Sequence, residues 1–146
     1  MIIWLEKHKN ISLILTLLIA VEIFFFSSIP GGKTGGGIPY ISIIYHFSVF
    51  FLFNFFLLTT LSRNNLKTKK LFTALSISTV YAILDELHQL YVPMRNASPI
   101  DFIIDFIGII AATIIFIWTK QKIKQKLAYS SENHSSSSES NENEHD

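Results

Sequence analysis

The sequence predicts an all-α integral membrane protein: a bundle of four transmembrane helices with both termini in the cytoplasm, followed by a disordered C-terminal tail. Hydrophobic residues make up 49% of the 146 residues, which is too many for a soluble domain of this size. They are concentrated in four long runs, and each run approaches the roughly 20 residues that a helix needs to cross the hydrocarbon core. The chain has no cysteine, which excludes disulfide and thiolate chemistry.

The predicted transmembrane domain covers residues 11–118, with spans near 11–29, 38–61, 71–92 and 100–118. Residues 1–10 are predicted to be a cytoplasmic segment. The first span follows Lys7 and Lys9 as a signal peptide would, but it has no small-residue cleavage site and contains Glu22, so we interpret it as a retained anchor. Residues 119–128 form a basic juxtamembrane segment. Residues 129–146 are Ser-rich and acidic, a composition that predicts disorder.

The distribution of basic residues predicts the orientation. Through Ala128 the chain has twelve basic and six acidic residues, a net charge of +6. Lys33 and Arg95 lie in the loops that we place outside, and the other ten lie at the opposite ends of the spans. The positive-inside rule therefore places both termini in the cytoplasm and the loops at residues 30–39 and 91–99 on the outer face. No nucleic-acid partner is predicted.

One layer of ionisable residues crosses all four spans. Prolines mark the outer helix ends, and counting from them at 1.5 Å per residue places one ionisable group of each span about 9–12 Å below the outer rim. These groups are Glu22, His46, Asp85 and Asp105. Because ionisable side chains at this depth are costly, they are expected to face one another or a water-filled cavity. The sequence therefore predicts a polar pocket that opens to the outer face.

The third span adds further polar groups to this pocket. Asp85, His88 and Gln89 are spaced i, i+3 and i+4, so they share one helix face, and Glu86 is turned by about 100° toward another neighbour. Arg95 follows the helix end, where its guanidinium can pair with a carboxylate or a phosphate.

Several of these residues also have structural interpretations. Ser98, Pro99 and Asp101 fit a helix-capping box, and Ser27 and Ser28 can complete the end of the first helix through local backbone bonds. Gly108 and Ala112 fit a small-residue helix contact. For the ionisable layer as a whole, the structural alternative is a hydrogen-bond network that fixes the bundle.

Three segments carry a family resemblance: "FFSSIPG" at 25–31, "HF" at 46–47 and "DELHQLYVPMRNASPIDFIIDFIG" at 85–108. In these segments the chain resembles the VanZ-like family of small bacterial membrane proteins. The positions of the family's longest motif fall on Glu86, Gln89, Pro93, Arg95, Asp101, Asp105 and Gly108. One departure is Met94, because the family usually has glycine before the arginine. The named member is associated with low-level teicoplanin resistance, so the resemblance implies a cell-envelope role at the outer face of a bacterial cytoplasmic membrane.

The leading functional hypothesis is a pocket that binds a cell-envelope molecule and also processes it if the protein is an enzyme. The molecule would be lipid-linked or otherwise amphipathic, or a glycopeptide, and membrane lipids would surround the protein. The candidate catalytic residues are Glu86, Asp85, His46, His88 and Asp105. The candidate ligand-binding residues are Glu22, Gln89, Arg95, Asp101, Ser27 and Ser28. The sequence does not decide between an enzyme, a proton- or ion-coupled small transporter, and a non-catalytic binding or sensing module. It contains no named zinc motif, so a divalent metal would need ligands from different helices. The sequence leaves open whether the protein binds a metal or another cofactor.

Overall fold

The computed structural model describes residues 2–30, 39–62, 67–95 and 97–142. These residues form five α-helices, and no strand is present among them. The helices are α1 (Ile2–Lys7), α2 (Lys9–Ser27), α3 (Pro39–Ser62), α4 (Thr68–Gln89) and α5 (Pro99–Glu142). The chain divides into two compact units, residues 1–114 and residues 115–146.

The N-terminal segment is helical and is part of the first unit. α1 and α2 follow one another with a break at His8, whose φ of −104° and ψ of 61° depart from helical values. The Ser12 hydroxyl donates to the Leu5 carbonyl across this break at 3.0 Å. α1 packs against α2 and α3, and it buries the side chains of Ile2 and Leu5. The segment predicted as a cytoplasmic terminus thus contributes to the bundle.

Three helices are long and apolar enough to cross a membrane, over Asn10–Ser27, Tyr40–Ser62 and Pro99–Ser130. They overlap the first, second and fourth predicted spans, and the fourth lies wholly within Pro99–Ser130. α4 contains most of the third, and its 22 residues match a membrane helix in length. α4 also carries Lys69, Lys70, Asp85 and Glu86, and it is not one of these three helices. The helices are therefore those of a membrane protein.

The exposed surface of the first unit is rich in large apolar side chains. Leu17, Leu18 and Val21 of α2 and Val80 and Leu84 of α4 are each more than half exposed. A water-soluble protein rarely exposes contiguous apolar surface of this kind, whereas lipid solvates it. The core is also apolar in part, and Phe50, Leu58, Ala74, Ala82 and Ile109 are fully buried in it.

An uncharged polar network joins α3, α4 and α5 inside the bundle. The Asn54 amide nitrogen donates to the Ile109 carbonyl and to the Thr113 hydroxyl, both at 2.8 Å. Its amide oxygen accepts from the Ser78 hydroxyl at 3.0 Å. Asn54 and Ser78 are fully buried, so this network satisfies polar groups that lipid could not solvate.

α5 comes very close to α3 at Gly108. A Cβ atom on this residue would lie 2.6 Å from the Phe47 carbonyl oxygen and 3.2 Å from the Phe51 nitrogen. Ala112, one turn further, is fully buried. The predicted small-residue pair therefore lies at a helix contact, where small side chains allow two backbones to come together.

The last helix continues well past the predicted fourth span. α5 extends to Glu142, and the disorder of residues 129–146 stays a prediction. Adding a residue to an existing helix is far easier than nucleating a new one, so the apolar part of α5 can carry the helix into a polar sequence. In the second unit the Lys122 ammonium lies 3.9 Å from the centre of the Trp118 ring, a pairing typical of the membrane interface. The prediction for residues 143–146 lies outside the described residues, as do those for Lys33 and Arg63.

Candidate functional site

Four helix termini meet at one end of the first unit and position the polar residues. α2 ends at Ser27, α3 begins at Pro39, α4 ends at Gln89, and α5 begins at Pro99. Proline is unfavourable inside a helix because it removes a backbone donor, so prolines confine the helices to these bounds. The ionisable residues lie within two to three turns of these ends.

His46 and Asp105 form a buried pair between α3 and α5. His46 Nδ1 lies 3.0 Å from Asp105 Oδ1. The Asp105 side chain is fully buried and His46 is 4% exposed. The close approach of the two backbones at Gly108, one turn from Asp105, holds α5 near enough to α3 for this contact.

Asp85 is held by one hydroxyl and one amide. The Ser27 hydroxyl of α2 donates to Asp85 Oδ1, and Gln89 Nε2, one turn along α4, donates to Asp85 Oδ2 at 3.0 Å. The spacing of Asp85 and Gln89 predicted this shared face. Each carboxylate oxygen of Asp85 therefore accepts a hydrogen bond, and these two bonds fix the orientation of the carboxylate.

Glu86 connects α4 to the start of α5. Its Oε2 accepts a hydrogen bond from the Ser98 backbone N–H at 2.7 Å, while the Ser98 hydroxyl accepts from the Asp101 N–H at 3.3 Å. Ser98 therefore caps α5, as predicted. In a capping box the acid at the third helical position would accept the Ser98 N–H, and here Glu86 from the neighbouring helix does so.

We define the polar cluster as His46, Asp85, Glu86 and Asp105. Each of these buried residues offers one nitrogen or oxygen atom, and the four atoms lie within 4.8 Å of one another. Glu86 Oε1 and Asp105 Oδ2 are buried and have no hydrogen-bond partner among the described residues. The cluster can therefore accept protons, donors of a ligand, or a cation.

The other predicted site residues lie outside the polar cluster. Glu22 is exposed on α2, so the structure does not place it in the pocket as expected. The half of α2 around Glu22 is almost entirely apolar, so the sequence there does not fix which face is buried. Asp101 is partly exposed in the first turn of α5.

His88 and Arg95 bind α2 rather than the cluster. His88 Nε2 lies 2.9 Å from the Ser28 hydroxyl, and its ring packs on Phe24 with 4.7 Å between centroids. Arg95 Nη1 donates to the carbonyls of Phe26 and Ser27 at 3.2 and 3.0 Å. These carbonyls end α2, and a cation at a helix C-terminus is favourable. The described contacts of Arg95 are therefore structural.

Tyr45 is a site residue that the sequence analysis did not identify. Its hydroxyl is buried without a hydrogen-bond partner among the described residues, and its ring meets the His46 ring edge-on with 5.8 Å between centroids. Tyr45 precedes His46 in an aromatic-rich helix, so composition alone does not distinguish it from a lipid-facing aromatic residue. The one available signal was its position beside His46.

An apolar cavity of about 370 Å³ adjoins the polar cluster between α4 and the start of α5. Its lining residues are Ile83, Glu86, Leu87, Ala97, Ser98, Pro99 and Phe102. Ile83 and Leu87 are also exposed, so the cavity is open at the surface of the first unit. Glu86 is common to the cavity and the cluster, and the site therefore combines an ionisable part with an apolar part.

Comparison with known proteins supports one family. No curated protein and no solved structure matches the chain significantly. The model of the VanZ/LLP1 family matches residues 12–120, which is well over half of the chain and includes every helix that carries the polar cluster. Its range also includes the three motif segments that resemble the family. The chain therefore belongs to the VanZ-like family.

Proposed function

We propose that this protein is a multi-pass protein of the bacterial cytoplasmic membrane that binds a lipid-linked or otherwise amphipathic cell-envelope molecule in its outer half. The observation that carries the proposal is the position of Glu86, which belongs both to the polar cluster and to the wall of the apolar cavity. An amphipathic molecule presents the same two surfaces side by side. Its polar group would bind at the cluster and its hydrocarbon in the cavity.

The proposed topology has four spans, with α4 as the third. Ser78, Asp85, Glu86 and Gln89 of α4 are buried inside the bundle, whereas its exposed positions include Phe72, Ile77, Val80, Leu84 and Leu87. Average hydropathy counts the buried polar residues, although lipid does not contact them. With four spans both termini would lie on one side, and Lys69 and Lys70 at the start of α4 support a cytoplasmic location for that side.

The surface opening of the cavity supports a ligand that arrives from the membrane. Ile83 and Leu87 line the cavity and are 43% and 49% exposed on the bundle surface. The proposed depth, beneath the outer helix ends, is where head groups meet acyl chains. A lipid-linked molecule can therefore enter laterally without leaving the bilayer.

The inner network supports binding over transport. Asn54, Ser78 and Thr113 bond to one another and to backbone, so their polar atoms are committed within the bundle. A proton or ion path through this level would need exchangeable groups that face a continuous cavity. The network instead closes the inner side of the site.

The first test is lipid co-purification. Full-length protein is purified from bacterial membranes in a mild detergent, and bound lipids are quantified by mass spectrometry. Ala97→Trp fills the cavity, and we expect it to remove a stoichiometric lipid-linked molecule from the preparation. Ile107→Trp adds the same side chain at a position of α5 that is 53% exposed, and it should retain the molecule. Equal lipid content in the two variants would contradict the proposal.

The second test addresses teicoplanin. A sensitive Gram-positive host expresses the wild type, Glu86→Gln or Ile107→Trp at matched membrane levels, with vancomycin as the control drug. Protection against teicoplanin by the wild type and Ile107→Trp, and its loss in Glu86→Gln, is the expected result. Protection that persists in Glu86→Gln would show that resistance does not depend on the proposed site.

A further inference from the structure

We propose that the polar cluster binds one first-row divalent cation, with His46, Asp85, Glu86 and Asp105 as ligands. Three helices supply the four residues, and one donor atom from each lies within 4.8 Å of the others. Zinc binds four nitrogen and oxygen ligands tetrahedrally at about 2.0–2.2 Å, so two ligands of one ion are separated by about 3.3–3.6 Å. The donor atoms would therefore have to approach one another by roughly 1 Å, which side-chain rotations can supply, to complete a coordination sphere.

Two carboxylate oxygens of the cluster point to a missing partner. Glu86 Oε1 and Asp105 Oδ2 have no hydrogen-bond partner among the described residues, although their side chains are 8% and 0% exposed. A buried oxygen without a donor is unfavourable, and more so when it carries charge. A cation between the two residues would satisfy both atoms at once.

The charge of the cluster favours a cation over a neutral ligand. Three carboxylates and a single imidazole are gathered in a buried site, where uncompensated charge is costly. The Arg95 guanidinium does not compensate them in its described contacts, since it donates to the carbonyls of Phe26 and Ser27. An ion with two positive charges would offset most of the negative charge of the cluster.

Hydrogen bonds outside the cluster hold the ligands in place. Ser27 and Gln89 orient Asp85, and the Ser98 N–H orients Glu86. Metal-binding carboxylates are usually fixed in this way by a surrounding set of donors. One imidazole with three carboxylates suits Zn²⁺ or Mn²⁺, whereas Mg²⁺ and Ca²⁺ prefer sites composed of oxygen alone. The proposal does not depend on the amphipathic ligand, because the cation would bind to the protein without it.

The test is zinc binding to the purified full-length protein. The protein carries no polyhistidine tag and has His134→Ala and His145→Ala in its tail, so that tail imidazoles do not contribute. After EDTA treatment, isothermal titration with Zn²⁺ should give one site per chain, and X-ray absorption should report one imidazole among oxygen ligands. Asp105→Asn should weaken binding at least tenfold. The control Asp101→Asn makes the same change one turn earlier in α5, outside the cluster, and should stay within about twofold of the wild type.

Three results would overturn the proposal: no stoichiometric site in the parent protein, equal affinity of Asp105→Asn and Asp101→Asn, or an absorption spectrum without imidazole. Size-exclusion chromatography establishes that each variant is folded. If Asp105→Asn is not monodisperse, Glu86→Gln replaces it, because the oxygen of the new amide can still accept the Ser98 N–H. Zinc binding without a co-purified lipid would contradict only the lipid proposal. A co-purified lipid without zinc binding would contradict only the cation proposal.

Discussion

Gly108→Ala tests whether the contact between α3 and α5 maintains the polar cluster. The added Cβ would lie 2.6 Å from the Phe47 carbonyl oxygen, whereas ordinary contacts begin near 3.4 Å, so the backbones must separate by about 0.8 Å. The obstructing atoms belong to the backbone of α3, which cannot rotate away as a side chain could. Asp105 is one turn from Gly108 on α5, and His46 is adjacent to Phe47 on α3.

The structure allows the size of the effect to be estimated. Overpacking of a well-packed contact costs about 1–3 kcal/mol. If the separation is transmitted to the His46–Asp105 pair, its 3.0 Å hydrogen bond lengthens beyond bonding distance, which costs about 1 kcal/mol more. Helix propensity acts in the opposite direction, because alanine is favoured over glycine by about 1 kcal/mol inside a helix. The expected net destabilisation is therefore about 1–3 kcal/mol, with the cluster disrupted.

The assay is thermal unfolding in detergent micelles, followed by zinc titration of the same samples. Ala111→Gly is the matched control, because it makes the reverse exchange at a partly exposed position of the same helix. It should lose only the propensity difference and leave the cluster intact. If Gly108→Ala instead increased the stability, the close contact would be refuted, because only the higher helix propensity of alanine would then be acting.

Three further changes test the turn, the cap and the inner network by the same unfolding assay. Met94 has a φ of 60°, so Met94→Gly should stabilise the protein by about 1 kcal/mol, whereas Met94→Ala retains the strained Cβ and should not. Ser98→Ala removes the cap of α5 and should cost about 1 kcal/mol, and an unchanged midpoint would contradict the cap. Asn54→Leu removes three hydrogen bonds between helices and should cost about 1–2 kcal/mol, whereas Thr60→Val removes a bond within one helix and should cost less.

The shared level of these residues along the helices was predictable from the sequence because prolines limit the helix ends nearest to them. With those ends fixed, the constant rise per residue places His46, Asp85 and Asp105 at one level, and the structure brings all three together. Rotation about the helix axis was predictable only where polar residues repeat with helical spacing. Asp85 and Gln89 mark one face of α4, but Glu22 stands alone in an apolar helix, and it is exposed rather than buried.

Contacts made by backbone groups were harder to predict. The capping function of Ser98 follows from local sequence, but the choice of Glu86 as partner for its N–H depends on how α5 packs against α4. The same holds for Arg95, whose guanidinium binds the last carbonyls of α2. A basic residue after a helix suggests a role for charge, but only packing decides which groups it meets.

The turn before α5 explains the one departure from the family pattern. The Arg95 N–H bonds to the Val92 carbonyl at 3.2 Å, with Pro93 and Met94 at the central positions. Proline followed by a residue with positive φ is the pattern of a type II turn, in which the second central residue is normally glycine. Met94 occupies this position at 60°. The usual family glycine is therefore explained by backbone conformation, and the turn still presents Arg95 to α2.

The two oxygens of Glu86 have different surroundings, and this allows a test that separates stability from the proposed binding. Oε2 accepts the Ser98 N–H and so fixes the start of α5, whereas Oε1 is buried without a hydrogen-bond partner among the described residues. Glutamine at this position can keep an acceptor for Ser98, while it removes the charge and places an amide group in the cluster. A loss of binding in Glu86→Gln without a loss of folding would therefore be due to the cluster chemistry. If the Glu86 carboxylate were needed only to cap α5, glutamine would replace it with little effect on binding. Glu86→Gln therefore distinguishes a binding site from a structural hydrogen-bond network at this end of the bundle.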